Sequence, residues 1–191
     1  MRHIAILLLI FSFCSCQRIK EKNDTGKLMI NFYLDRDYYV PYSRKLNYET
    51  ANDSIKEKRF DVRFSILNKT DSVISFWTMT CEWQSSFLIN NSYITFFFPE
   101  ACDNNSPHQV RIKAHDSIQI KTTLVRDIQY DNPCKGCVGC LDDEGRVQTT
   151  KIGLIFIDSI DPKKGDYDYF NWLNDKSKWN IIWSNPLILR K

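Results

Sequence analysis

An all-β domain, built as a sandwich or a barrel, is the fold class this sequence predicts, and three observations predict it. Apolar and polar residues alternate with period two through Phe60-Asp61-Val62-Arg63-Phe64-Ser65-Ile66, which gives a strand one buried and one wet face. Short extended stretches of this kind recur along the chain between turn residues such as Asn90-Asn91 and Ala114-His115-Asp116-Ser117. Aromatic residues make up 14% of the chain, and aromatic and β-branched side chains suit the pleated surface of a strand.

Taken in order, residues 28–34 open the domain and residues 60–66 form its clearest strand. Asn68-Lys69-Thr70-Asp71 then supplies a turn, and residues 73–81 resume as an extended run carrying Ile74, Phe76, Trp77 and Met79, so a hairpin is expected. Residues 87–89 and 93–98 repeat that plan around Asn90-Asn91, ending at Pro99, where the ladder loses a donor. Residues 110–112 and 118–124 repeat it again around His115. Residues 150–157 are apolar almost throughout, as in a central strand covered on both faces. Residues 181–189 close the domain, with Pro186 tolerated at an edge or bulge. Only Tyr169, Trp172 and Leu173 show helical spacing, for a turn or two. The pattern amounts to about eight or nine short strands.

Bulk composition limits the alternatives. A chain of 191 residues fits one domain plus a leader, and it can bury about two thirds of its unfolded surface without depending on disulfides or metal. Hydrophobic residues at 43% and charged ones at 26% lie in the globular range. A net charge of +3 from 26 basic and 23 acidic side chains is too balanced to indicate a nucleic-acid partner.

The first residues carry an address. Arg2 supplies a short positive start, and residues 4–13 form an uncharged apolar run. That run is too short to span a bilayer, which takes about 20 residues, but it matches the core of a secretory signal. The sequence Phe13-Cys14-Ser15-Cys16 resembles the lipobox of bacterial lipoproteins, where a small residue precedes the cysteine that becomes the lipidated first residue. Ser15 before Cys16 fits that pattern, whereas bulky Phe13 makes Cys14 the poorer candidate. Each buried methylene of an acyl chain contributes about 0.8 kcal/mol, so a multiply acylated Cys16, palmitate included, anchors a protein without a transmembrane helix. Residues 17–27 are polar and mixed in charge, as in a flexible tether. The chain therefore divides into a lipoprotein signal peptide at 1–15, a tether at 16–27 and a β domain at 28–191.

The stretches Ile66-Leu67-Asn68-Lys69-Thr70, Phe76-Trp77-Thr78-Met79-Thr80-Cys81-Glu82-Trp83, Lys151-Ile152-Gly153-Leu154-Ile155 and Ile182-Trp183-Ser184-Asn185-Pro186-Leu187 resemble those of Bacteroidota-type lipoproteins. The resemblance spans most of the mature chain. It implies an immunoglobulin-like antiparallel β-sandwich and a cell-envelope address, lipid-anchored to the outer membrane on its periplasmic or cell-surface face. It transfers no site residues. The cysteine pair around a core tryptophan that marks antibody domains has no counterpart here.

With Cys16 acylated and Cys14 removed, Cys81, Cys102, Cys134, Cys137 and Cys140 remain. In an oxidising compartment they favour disulfides, and Cys81 and Cys102 bracket one hairpin, a spacing a bridge can close for roughly 3 kcal/mol. Cys134, Cys137 and Cys140 fall at two-residue gaps in a glycine-bearing loop. Such thiolates can converge on one tetrahedral metal such as zinc if a fourth ligand arrives, from Asp142, Asp143 or Glu144 or from His108 or His115, but disulfide bonding remains the plainer reading. Asp158, Asp161, Asp166 and Asp168 could offer oxygens to calcium, though turn acids are far more often solvated.

Tyr38, Tyr39 and Tyr42, and the segment Tyr167, Tyr169, Phe170 and Trp172, could stack on a sugar or a partner protein, although closing the ends of the β domain is the simpler role. The chain has no GxSxG elbow, HExxH pair, phosphate-cradling loop or dinucleotide fingerprint, so no enzyme is expected. His108 and His115 read as exposed loop residues. The leading expectation is a lipid-anchored, non-catalytic binding or structural module that meets the membrane through its lipid, with a protein or glycan ligand. The alternatives are a metal-binding or thiol-redox protein using Cys134, Cys137 and Cys140, and a glycan-binding module using Trp172 and its neighbours.

Overall fold

A computed structural model of the chain describes residues 26–41, 56–98, 105–126, 147–161 and 163–189. Its strands are β1 (Leu28–Pro41), β2 (Lys56–Asn68), β3 (Ile74–Met79), β4 (Phe87–Ile89), β5 (Ile94–Phe96), β6 (Pro107–Ile112), β7 (Ser117–Arg126), β8 (Ile152–Ile155), β9 (Ile181–Trp183) and β10 (Ile188–Leu189). An α-helix, α1 (Asp166–Asn174), lies between β8 and β9. The largest sheet has the order β10-β1-β2-β7-β5; β3 pairs with β6, and β8 lies between β4 and β9. All pairs are antiparallel except β1 with β10. The smaller sheets are joined where the Trp77 amide donates to the Ile157 carbonyl at 2.9 Å, just past β8.

Period two decides which side chains meet. Phe60, Val62, Phe64 and Ile66 of β2 are buried with Leu28, Ile30 and Phe32 of β1, while the residues between them face outward. The same continuous core takes in Phe76 of β3, Phe87 of β4, Ile152 and Leu154 of β8 and Ile182 of β9, so the large sheet and the smaller ones face each other across it. Phe64 meets Phe87 edge-on at 5.0 Å, and Trp83 meets Phe87 and Phe96 at 5.6 and 5.8 Å.

The opposite face of β8 turns Ile155, with Ile157 beyond it, into a second apolar cluster with Met79, Ile160 and Tyr169. There α1 docks. Fully buried Tyr169 brings its hydroxyl 2.7 Å from the Ser86 hydroxyl, which donates to Thr78 Oγ1 at 2.8 Å. Burial of these three hydroxyls is offset by their bonding to one another.

The continuous apolar run at 150–157 does form a central strand, with every residue of β8 buried. The three expected hairpins do not form. β2 pairs with β1 and β7, β4 with β8, and β5 with β7, while β6 pairs with β3 rather than with β7. Each turn instead carries the chain from one layer to the other. Asn68 shows how the first does so. Its side-chain amide donates to the carbonyls of Ser72, Ile112 and Lys113 at 2.7, 3.1 and 3.0 Å, and its Oδ1 accepts from the Thr70 amide at 2.9 Å. That ties the turn after β2 to the connection between β6 and β7, which aims the chain towards β6.

Candidate functional site

The largest sheet has one apolar and one polar face, and the polar face is interrupted where β1 adds a residue. Leu34 pairs with Val62 and Arg36 with Asp61, so Asp35 has no partner of its own across the ladder. In a regular strand neighbouring side chains point to opposite faces; a bulge breaks that alternation and increases the local twist. Asp35 and Arg36 consequently both line a cleft of about 390 Å³, with Asp61 and Val62 of β2 and Lys121, Thr122 and Thr123 of β7.

Asp61 is the hub of this cleft. Its Oδ2 accepts from Arg36 Nε at 2.6 Å, and its Oδ1 from Thr123 Oγ1 at 2.8 Å and Tyr38 OH at 3.2 Å. Partial burial pushes the Asp61 carboxyl upward, but the hydrogen bonds from Arg36, Thr123 and Tyr38 and the charge of Arg36 outweigh it and hold the carboxyl below the usual aspartate range. The rest of the face is similarly paired. Arg63 donates to Asp35 Oδ1 at 3.1 Å and Arg59 to Glu57 at 2.6 Å. Arg36 lies over the Tyr38 ring at 4.9 Å and Arg63 over Tyr33 at 5.8 Å, so each ring braces a guanidinium. Lys121, exposed at the cleft, makes no hydrogen bond or ion pair among the described residues.

The residues singled out from sequence are placed as follows. Cys16, Cys102, Cys134, Cys137 and Cys140 lie outside the described residues, as do Tyr42, Asp142, Asp143 and Glu144. Cys81 follows β3, is disulfide-bonded, and donates its amide to Asn105 Oδ1 at 3.2 Å. No group of three or more His, Cys, Asp or Glu side chains that could hold a metal ion occurs among the described residues. Asp161 and Asp168 act instead in local structure: Asp168 Oδ2 accepts the Asp161 amide at 2.7 Å and Asp161 Oδ1 the Lys163 amide at 2.9 Å.

Two expectations about side chains change. His108 is not a loop residue; it sits half-buried in β6, opposite Thr78, with a buried Nδ1 that lacks a hydrogen-bond partner. Its neighbour Pro107 starts that strand. His115 does occupy an exposed turn, with φ of 57° and Nε2 2.8 Å from Asp71 Oδ1. The helical aromatics separate as well, because α1 has an inner and an outer side. Tyr169 is buried and Trp172 packs on its cluster, while Tyr167 and Phe170 remain exposed.

No helix among the described residues is long and apolar enough to cross a membrane. Comparison of the chain with protein-family models, curated proteins and solved structures found no match.

Proposed function

We propose that this chain is a lipid-anchored cell-envelope protein whose β domain is a non-catalytic binding module, with the bulged face of the large sheet as its recognition surface. The observation that carries this reading is the cleft that charged side chains of β1, β2 and β7 line. Its charged groups stand on paired strands rather than on a loop, so they are positioned before a ligand arrives, which lowers the ordering cost of binding. The address rests on the leader: an apolar run at 4–13 followed by Ser15-Cys16, with 17–27 as tether.

Within this reading residues 28–191 form an immunoglobulin-like sandwich, the Cys81 disulfide partner is Cys102, and the lipid holds the domain to the outer membrane on its periplasmic or surface face. Cys16→Ala tests the anchor. The variant is expected to leave the membrane fraction and to lose metabolic labelling by palmitate; retention of both in the variant contradicts lipidation at Cys16.

A second reading, favoured by the two-residue gaps between Cys134, Cys137 and Cys140, makes the chain a zinc-binding or thiol-active protein. Elemental analysis with thiol counting separates the two. Stoichiometric zinc, lost in Cys137→Ser, supports the second reading, and a metal-free chain with those cysteines bridged removes it.

A further inference from the structure

Every Asp-Ser pair in this chain is followed by a β-branched aliphatic residue: Asp53-Ser54-Ile55, Asp71-Ser72-Val73, Asp116-Ser117-Ile118 and Asp158-Ser159-Ile160. One tripeptide therefore holds four of the chain's 15 serines, more than chance pairing of these residue types gives. Turns favour Asp and Ser, so a common structural role is the first explanation to weigh. The three copies among the described residues do not share one. Asp71 Oδ1 lies 2.8 Å from His115 Nε2, Asp116 Oδ1 accepts the Ser117 amide at 2.7 Å, and Asp158 Oδ1 accepts the Ser159 hydroxyl at 3.3 Å. Ser117 opens β7, Ser72 lies two residues before β3, and Ser159 lies between β8 and α1. The third residue is 60% exposed at Val73 and buried at Ile160. What these copies have in common is an Asp-Ser pair on the surface, with Asp71, Ser72, Asp116, Ser117, Asp158 and Ser159 all exposed. The buried serines Ser86 and Ser184 stand outside the tripeptide.

A pattern repeated where the fold does not require it, and always within reach of solvent, is one that another molecule reads. We infer that Ser72, Ser117 and Ser159 are acceptor sites for an O-linked neutral glycan, added by a transferase that reads Asp-Ser-(Ile or Val) on the exported chain. The serine Oγ attacks the anomeric carbon of a sugar carried on a diphosphate donor. A carbon–oxygen bond forms to Oγ as the bond from that carbon to the donor's phosphate oxygen breaks; the diphosphate leaves with the electron pair, and the hydroxyl proton passes to a base of the transferase. Charge favours a sugar over a phosphate. A phosphoserine carries about −1.5 to −2 charges and would be repelled by the aspartate directly before it, whereas a neutral sugar brings hydroxyls that can donate to that carboxylate. In the folded domain all three serines are exposed and leave space for the added group. Burial of Ile160 presents the whole third copy to a reader only before the domain closes, which places the transfer on the newly exported chain.

This inference rests on the exported, cell-envelope reading and adds a modification to it. Its test is peptide mass spectrometry, with fragmentation that preserves side-chain modifications, of the full chain purified from membranes of its native host. Sugar masses are expected on Ser72, Ser117 and Ser159, and none on Ser92 and Ser177, which are exposed but follow Asn91 and Lys176. Asp116→Asn keeps an oxygen to accept the Ser117 amide, so the turn holds; it is expected to lose the sugar at Ser117 while Ser72 and Ser159 keep theirs. Asp158→Asn, which likewise keeps an acceptor for the Ser159 hydroxyl, is expected to strip Ser159 alone. The inference is overturned by bare serines in all three copies, by phosphate in place of sugar, by equal occupancy of Ser92 and Ser177, or by sugars indifferent to both aspartate variants. Bare serines on a chain lipidated at Cys16 leave the anchor standing, and bare serines on a chain that retains Met1 remove both.

Discussion

At the scale of single residues, Asn68 and Asp61 have opposite environments and therefore opposite expected sensitivities. Asn68 is fully buried and shares its amide among three carbonyls on two turns. Truncating it leaves those carbonyls and the Thr70 amide without their partner, and an unsatisfied buried group costs about 1–3 kcal/mol. Asn68→Ala is expected to lower the free energy of unfolding by at least about 2 kcal/mol in urea denaturation; a change within error would mean that the turn holds without it. Asp61 sits on a face open to water, so its ion pair with exposed Arg36 contributes little to stability. Because its folded pKa lies below the ordinary value, the stability it adds is present above the unfolded pKa of about 3.9 and is lost as pH falls through the lower folded value. Asp61→Asn should therefore be slightly less stable than the parent at pH 7, with the gap closing on acidification below about pH 4. A gap that stays constant from neutral to acid pH contradicts the charged role.

The cleft was half legible in the sequence at this scale. Alternation through residues 60–66 puts Asp61 and Arg63 on the wet face, but nothing in residues 33–38 signals that Asp35 is an inserted residue. A bulge is set by pairing with a partner strand, so it is absent from any local pattern. The place of His108 is hidden for a related reason, since its position opposite Thr78 in the β3–β6 ladder is set by strand pairing.

At the scale of elements, strand existence could be read from the sequence and strand pairing could not. The periodicity of β2, the buried run of β8 and the helical spacing of Tyr169, Trp172 and Leu173 are local properties and survive folding. Which strand pairs with which depends on long-range contacts, and turn residues such as Asn90-Asn91 serve a crossover as well as a hairpin: the Asn90 side chain accepts the Lys151 amide at 2.7 Å, which ties this turn to the residue before β8. Gly153 shows what pairing demands of one residue. It lies opposite Trp183 in the β8–β9 ladder, and a Cβ there would come within 2.7 Å of Ile181 Cγ2 and 2.8 Å of the Trp183 ring. Gly153→Ala is expected to cost about 1–3 kcal/mol, as overpacking does, with a matching fall in melting temperature. An unchanged melting temperature would show that Trp183 moves freely and that β8 and β9 are less tightly packed than their contacts require.

At the scale of the whole molecule, the layers assign different work to different faces. The inward face of the large sheet and the strands opposite it form the main core, the far side of β8 is covered by α1, and the outward face of β1, β2 and β7 is left polar and charged. A domain built this way can expose one sheet face to a ligand while the others hold it together, and an acylated Cys16 on a tether would present that face at a membrane surface. Intact mass spectrometry of the chain purified from membranes of its native host tests this placement most directly. The expected mass is that of a chain beginning at Cys16 and carrying acyl groups, whereas a chain retaining Met1 unmodified, or starting elsewhere without lipid, contradicts it.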